Sequence, residues 1–84
     1  MQLKVLYLAR LRDAFGRSSE DLELPASSTV AILVDRLRER GGPWEKELAG
    51  GRAVRVAVNQ EMAGTGAALS DGDEVALFPP VTGG

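Results

Sequence analysis

The chain has no cysteine and no histidine. The first absence excludes disulfides and a cysteine nucleophile; the second excludes an imidazole base; together they remove the common zinc-site types. Neither a Cys–His nor a Ser–His constellation can be built. Carboxylates, Lys, Arg and Tyr7 remain for acid–base work. Strong charge of one sign is also missing: the formal net charge is −2, with basic residues interspersed among acids. No field for nucleic acid or a membrane surface is expected, and the charges read as a solvated surface. No apolar run approaches bilayer-spanning length. Met1-Gln2-Leu3-Lys4 lacks the basic region and apolar stretch of a signal peptide, so a cytoplasmic location is expected.

What is present is one small domain's worth of chain, 84 residues with 44% hydrophobic and 26% charged residues. A domain this size buries only about 60–65% of its unfolded surface, which leaves little room for an enclosed active site. Leu3 to Ala9 is rich in strand formers; Leu3, Val5 and Tyr7 point one way, and Lys4, Leu6 and Leu8 the other. Leu6 and Leu8 are unusual on what should be the outward face. Arg10 to Gly16 forms a short helix or turn containing Leu11 and Phe15, and the alternation in Asp21–Leu24 predicts a second strand, stopped by Pro25.

Ser27-Ser28-Thr29 offers a helix N-cap. Val30, Leu33, Val34 and Leu37 follow at the spacing of an amphipathic helix, which Gly41-Gly42-Pro43 ends. Trp44 to Leu48 predicts a short helical turn, Val54–Val58 a strand, Met62-Ala63 a brief pairing, and Glu74–Phe78 the last strand, halted by Pro79-Pro80. One mixed sheet with a main helix across one face, an α+β fold, is the simplest architecture. Residues 1–78 form the domain and 79–84 a flexible C-terminal tail.

Asp71-Gly72-Asp73 lacks the remaining ligand positions of a calcium loop and reads as turn chemistry. The Gly-Gly pairs at 41–42 and 50–51 lack the Lys-Ser/Thr continuation of a phosphate loop. No metal site is expected. Gly83-Gly84 is different: at an average glycine usage of about 7%, such a pair falls at a given place about once in two hundred. Pro79 and Pro80 favour an extended, stiff exit from the sheet, and two residues without Cβ make a tail thin enough to thread a narrow cleft. The Gly84 carboxyl carbon is unhindered, and adenylation would turn it into a good electrophile. An end with no function is the competing reading.

The segment from Asp71 to Gly84, ending Phe78-Pro79-Pro80-Val81-Thr82-Gly83-Gly84, resembles the C-terminal signature of the molybdopterin synthase small-subunit family. Val5-Leu6-Tyr7-Leu8-Ala9-Arg10-Leu11-Arg12 and Val56-Ala57-Val58-Asn59-Gln60 resemble the same family, so the likeness covers essentially the whole chain. It implies a ubiquitin-like β-grasp fold, with the first and last strands central and side by side. It also implies a non-catalytic sulfur carrier. An adenylyltransferase related to ubiquitin-activating enzymes uses ATP on Gly84, a sulfur donor protein converts the adenylate to a thiocarboxylate, and the tail enters a large subunit. That subunit holds the catalytic pocket, where sulfur passes to a cyclic pyranopterin monophosphate precursor of the molybdenum cofactor. No cofactor is bound directly by the carrier itself. Gly83 gives clearance, and Pro79, Pro80, Val81 and Thr82 lead to it.

With those strands adjacent, Leu6, Leu8, Ala76 and Phe78 form an apolar patch beside the tail, a docking face with Phe78 as its leading anchor. Coverage of that patch by the loop at 61–68 or the segment at 10–16 is the alternative. Other functional readings of the chain are a sulfur carrier for thiamine, cysteine or tRNA thiolation, a protein modifier joined to lysines through Gly84, and an interaction module with an inert tail.

Overall fold

In the computed structural model, which describes residues 1–49 and 54–80, the elements are β1 (Gln2–Tyr7), α1 (Arg10–Phe15), β2 (Ser19–Glu23), α2 (Val30–Arg38), α3 (Pro43–Leu48), β3 (Arg55–Val58), β4 (Glu61–Ala63) and β5 (Glu74–Phe78). They form a five-stranded sheet in the order β2-β1-β5-β3-β4. β1 and β5 run parallel, with Val5 opposite Val75 and Tyr7 opposite Leu77; the other pairs are antiparallel. The first and last strands are therefore inner neighbours, the β-grasp arrangement. A parallel pair cannot be closed by a tight turn, so the chain between them crosses the sheet and deposits its helices on one face.

Alternation sets that face. Leu3, Val5 and Tyr7 of β1 and Val75 and Leu77 of β5 are each at most 2% exposed. Val30, Leu33 and Leu37 of α2 lie over them in the same core, fully buried, with Val34 packed at its margin. Burying each such side chain contributes roughly 1.5–3 kcal/mol before chain entropy is counted. Leu11 and Phe15 of α1 and Leu48 of α3 complete the core.

α2 starts where expected: Thr29 is extended, and its Oγ1 accepts the Ile32 N–H at 3.4 Å. Its end differs in detail. Glu39 is the C-cap in a right-handed conformation, and the left-handed residues are Gly41 (φ 75°) and Gly42 (φ 54°). Pro43 opens α3 instead of merely stopping α2, because proline's missing N–H costs nothing in a first turn. β2 begins at Ser19, earlier than the alternation implied, because Leu6 pairs with Ser19.

Leu24 lies beyond β2. Its N–H donates to the Met1 carbonyl at 3.0 Å, its carbonyl accepts from the Met1 ammonium at 2.8 Å, and its side chain is 2% exposed. Asp71-Gly72-Asp73 is a turn: Asp71 Oδ1 accepts the Gln2 N–H at 2.7 Å, and Asp73 Oδ2 accepts the Ser70 N–H at 2.8 Å. The pair Gly50-Gly51 lies outside the described residues. No helix among the described residues is long and apolar enough to cross a membrane.

Candidate docking face and tail root

The sheet has a second face. Its register carries one straight row across all five strands: Ser19, Leu6, Ala76, Ala57 and Met62. The Leu8 N–H donates to the Leu77 carbonyl at 3.0 Å, which extends the β1–β5 ladder and brings Leu8 level with Phe78. Arg55 pairs with Phe78 from the other side. Towards the opposite end the row of Asp21, Lys4 and Glu74 is polar. The apolar area is thus Leu6, Ala76, Ala57 and Met62, continued by Leu8 and Phe78, with charge at its margins.

Leu8 is 44% exposed and Met62 59%, while Leu6, Ala76 and Phe78 are half-buried. Of the two candidate covers, the segment at 61–68 contributes Met62 to the edge of this face through β4, while its remainder and the segment at 10–16 are tied to the helix side. The loop after β4 is fastened to the start of α2: Ala67 and Thr65 carbonyls accept the Val30 and Ala31 N–H groups at 3.0 and 2.9 Å, and the Leu69 N–H donates to Ser28 at 3.0 Å. α1 sinks Leu11 and Phe15 into the core on the helix side. Ala57, between Ala76 and Met62 in the row, is only 8% exposed, so the open apolar area is carried by Leu8 and Met62 with the half-buried Leu6, Ala76 and Phe78.

All four residues that strand parity places on this face, Leu6, Leu8, Ala76 and Phe78, occur together in the structure. Ala57, Met62 and Arg55 also belong to it and were not anticipated. Their signal was present in the alternation of Arg55-Val56-Ala57-Val58, but it is usable only once β3 is known to pair with β5. Pro79 and Pro80 follow Phe78 directly and are half-buried, so the strand that supplies Phe78 also starts the tail. Val81, Thr82, Gly83 and Gly84 lie outside the described residues.

The shifted ionisable groups sit on the opposite, helix-bearing side. Tyr7 is fully buried, and its hydroxyl donates to Glu20 Oε2 at 2.6 Å. Arg40 donates to both Glu20 oxygens at 2.8 Å, and Arg17 lies 3.4 Å from Oε1. Hydrogen bonding from Arg40 holds the Glu20 carboxyl below its usual range despite its partial burial. Burial, and then the bond to Glu20, push the Tyr7 hydroxyl well above its ordinary value. Arg40 also stands 4.5 Å from the Trp44 ring centroid, and Trp44 stacks on Phe15 at 3.9 Å. These groups clamp β2, β1 and the end of α2 together. Among the described residues no cluster of acids could hold a metal ion. What the open face offers is apolar area with charge at its margins.

The chain resembles known proteins in sequence and fold. The chain is 37% identical over 82 residues to the molybdopterin synthase sulfur carrier subunit of Haemophilus influenzae, covering 98% of this chain and 99% of the relative. The protein of the same name from Escherichia coli is also 37% identical over 82 residues, with the same coverage of 98% and 99%. Among solved structures, small archaeal modifier protein 1 from Haloferax volcanii superposes with a TM-score of 0.84 at 29% identity over 100% of both chains. The pattern of the ThiS family matches residues 5–84, from the middle of β1 to the second glycine of the tail, and on that match the chain belongs to the ThiS family.

Proposed function

We propose that this chain is the sulfur carrier subunit of molybdopterin synthase, with sulfur carried at the Gly84 carboxyl. The observation that carries the reading is the continuity of β5: one strand presents Ala76 and Phe78 on the open face and runs directly through Pro79-Pro80 into the tail. A partner seated on that face receives the tail. Full-length similarity to proteins named as sulfur carrier subunits supports it. So does the composition, which offers no thiol and no imidazole.

The chemistry has two stages. The Gly84 carboxylate attacks the α-phosphorus of ATP on an activating enzyme, forming an acyl adenylate and releasing pyrophosphate. A sulfide equivalent from a sulfur donor adds to the acyl carbon and expels AMP, leaving a thiocarboxylate. In the large subunit that sulfur forms a bond to a side-chain carbon of the pterin precursor as the oxygen substituent on that carbon departs. Water then cleaves the acyl–sulfur bond, leaving the sulfur on the pterin and restoring the carboxylate, and two loaded carriers supply the two sulfurs of one dithiolene. The carrier's contribution is positioning, and the pterin-binding and acid–base groups belong to the large subunit.

Reconstitution tests this. The chain, its candidate large subunit, the activating enzyme, ATP and a sulfur donor should together convert the pterin precursor to the dithiolene product. No conversion by a large subunit that binds the chain and precursor would overturn the proposal. A second reading, attachment to lysines as a protein modifier, is favoured by the likeness to small archaeal modifier protein 1. Recovery of isopeptide conjugates through Gly84 from cells would establish it.

A further inference from the structure

Two turns in this molecule have nearly the same backbone. At the entry to α3, Gly42 has φ 54° and ψ −132°, and the Gly41 carbonyl accepts the Trp44 N–H at 3.1 Å. At the entry to α1, Ala9 has φ 53° and ψ −130°, and the Leu8 carbonyl accepts the Leu11 N–H at 3.2 Å. Each is a turn whose second residue occupies a region that glycine enters freely and L-residues avoid. A Cβ built on Gly42 would meet nothing within 4 Å. Glycine at 42 therefore answers the backbone conformation and not a lack of space.

The same conformation at position 9 carries a methyl group. Folding gives no return for it: Ala9 is exposed, and it lies outside the core. Among the described residues the other non-glycine residues with positive φ are Ser27, Asn59 and Gln60. Asn59 and Gln60 make the tight β3–β4 turn, and the Asn59 side chain bonds to Asp73 and Glu74 there. At Ala9 the carbonyl accepts the Arg12 and Asp13 N–H groups at 3.1 and 3.4 Å as α1 opens, which accounts for the turn but makes no use of the methyl group. Ala9 follows Leu8 directly, beside the apolar area that ends at Phe78. The turn needs this conformation, but glycine would supply it without strain, so the methyl group points to a use elsewhere.

We propose that Ala9 is a contact residue of the docking face, its methyl group buried against the partner subunit beside Leu8. This inference rests on the docking reading above. It predicts opposite signs in two measurements on one variant. Ala9→Gly relieves the strained conformation, so the free chain should melt higher by about 4 °C or more, the scale for a domain this size. The same variant should bind the large subunit about fourfold more weakly, the worth of one buried methyl group. Ala9→Ser keeps the Cβ and its strain but sets a hydroxyl against the partner's apolar surface, so it should bind more weakly without melting higher.

Calorimetry and melting of Ala9→Gly, Ala9→Ser and Phe78→Ala, each against the same large subunit, decide the matter. A lower melting temperature for Ala9→Gly would overturn the strain argument. Unchanged affinity for Ala9→Gly with weakened binding for Phe78→Ala would leave the docking face standing and remove Ala9 from it. Unchanged affinity for both would show that the docking reading had failed, and this inference with it.

Discussion

Glu20 offers the sharpest test of what holds the helix-bearing side together. Its carboxylate accepts from the Tyr7 hydroxyl at 2.6 Å and twice from Arg40 at 2.8 Å, and its side chain is 11% exposed against 31% for Arg40. Glu20→Ala leaves the Tyr7 hydroxyl without this partner in a fully buried position, at a cost of about 1–3 kcal/mol. Loss of the Arg40 pair adds about 1 kcal/mol, since that partner is partly in water. A total of about 2–4 kcal/mol is a large fraction of the 4–12 kcal/mol expected for a chain this long. The melting temperature should fall by roughly 10–25 °C.

Tyr7→Phe removes the hydroxyl with its desolvation cost and should lose only about 1 kcal/mol. Combined with Glu20→Ala it should be less than additive, because the orphaned hydroxyl is gone. pH gives an independent check. A carboxyl held below its usual value contributes stability that is fully present above the unfolded value of 4.5 and lost as pH falls through the depressed folded value. Urea denaturation of wild type should therefore show stability falling below about pH 4.5, with a shallower fall in Glu20→Gln. A Glu20→Ala variant within about 0.5 kcal/mol of wild type would refute the clamp.

Phe78→Ala should weaken the complex with the large subunit by about 2 kcal/mol or more, measured by calorimetry, with a smaller change in the stability of the free chain. Leu77→Ala, one residue earlier and fully buried, should do the reverse, costing about 2–5 kcal/mol in urea denaturation. Deleting Gly84 should leave the melting curve of the free chain unchanged, since no described core residue is touched, yet abolish sulfur transfer in a reconstituted assay.

Sequence and structure agree most closely where information is local. The stripe of Val30, Leu33, Val34 and Leu37 and the alternation of Leu3, Val5 and Tyr7 each encode burial within one element, and each is realised. The four apolar residues opposite β1 and β5's core positions followed from parity alone. Residues brought together by pairing were harder to read. Ala57 and Met62 join the row only through the registers of β3 with β5 and β4. The Tyr7–Glu20–Arg40 clamp joins residues 13 and 20 positions apart through strand pairing and the return of the chain after α2, and nothing in their neighbourhoods marks them. Ala9 looks like an ordinary helix former in the sequence; only its backbone angles set it apart.

The central claim is that sulfur travels on Gly84. Intact-protein mass spectrometry with C-terminal fragmentation, after incubation with the activating enzyme, ATP and a sulfur donor, tests it most directly. Exchange of one oxygen for sulfur, confined to the fragment containing Gly84, is the predicted result. Sulfur on any other residue, or none despite adenylate formation and a donor competent on another carrier, would contradict it.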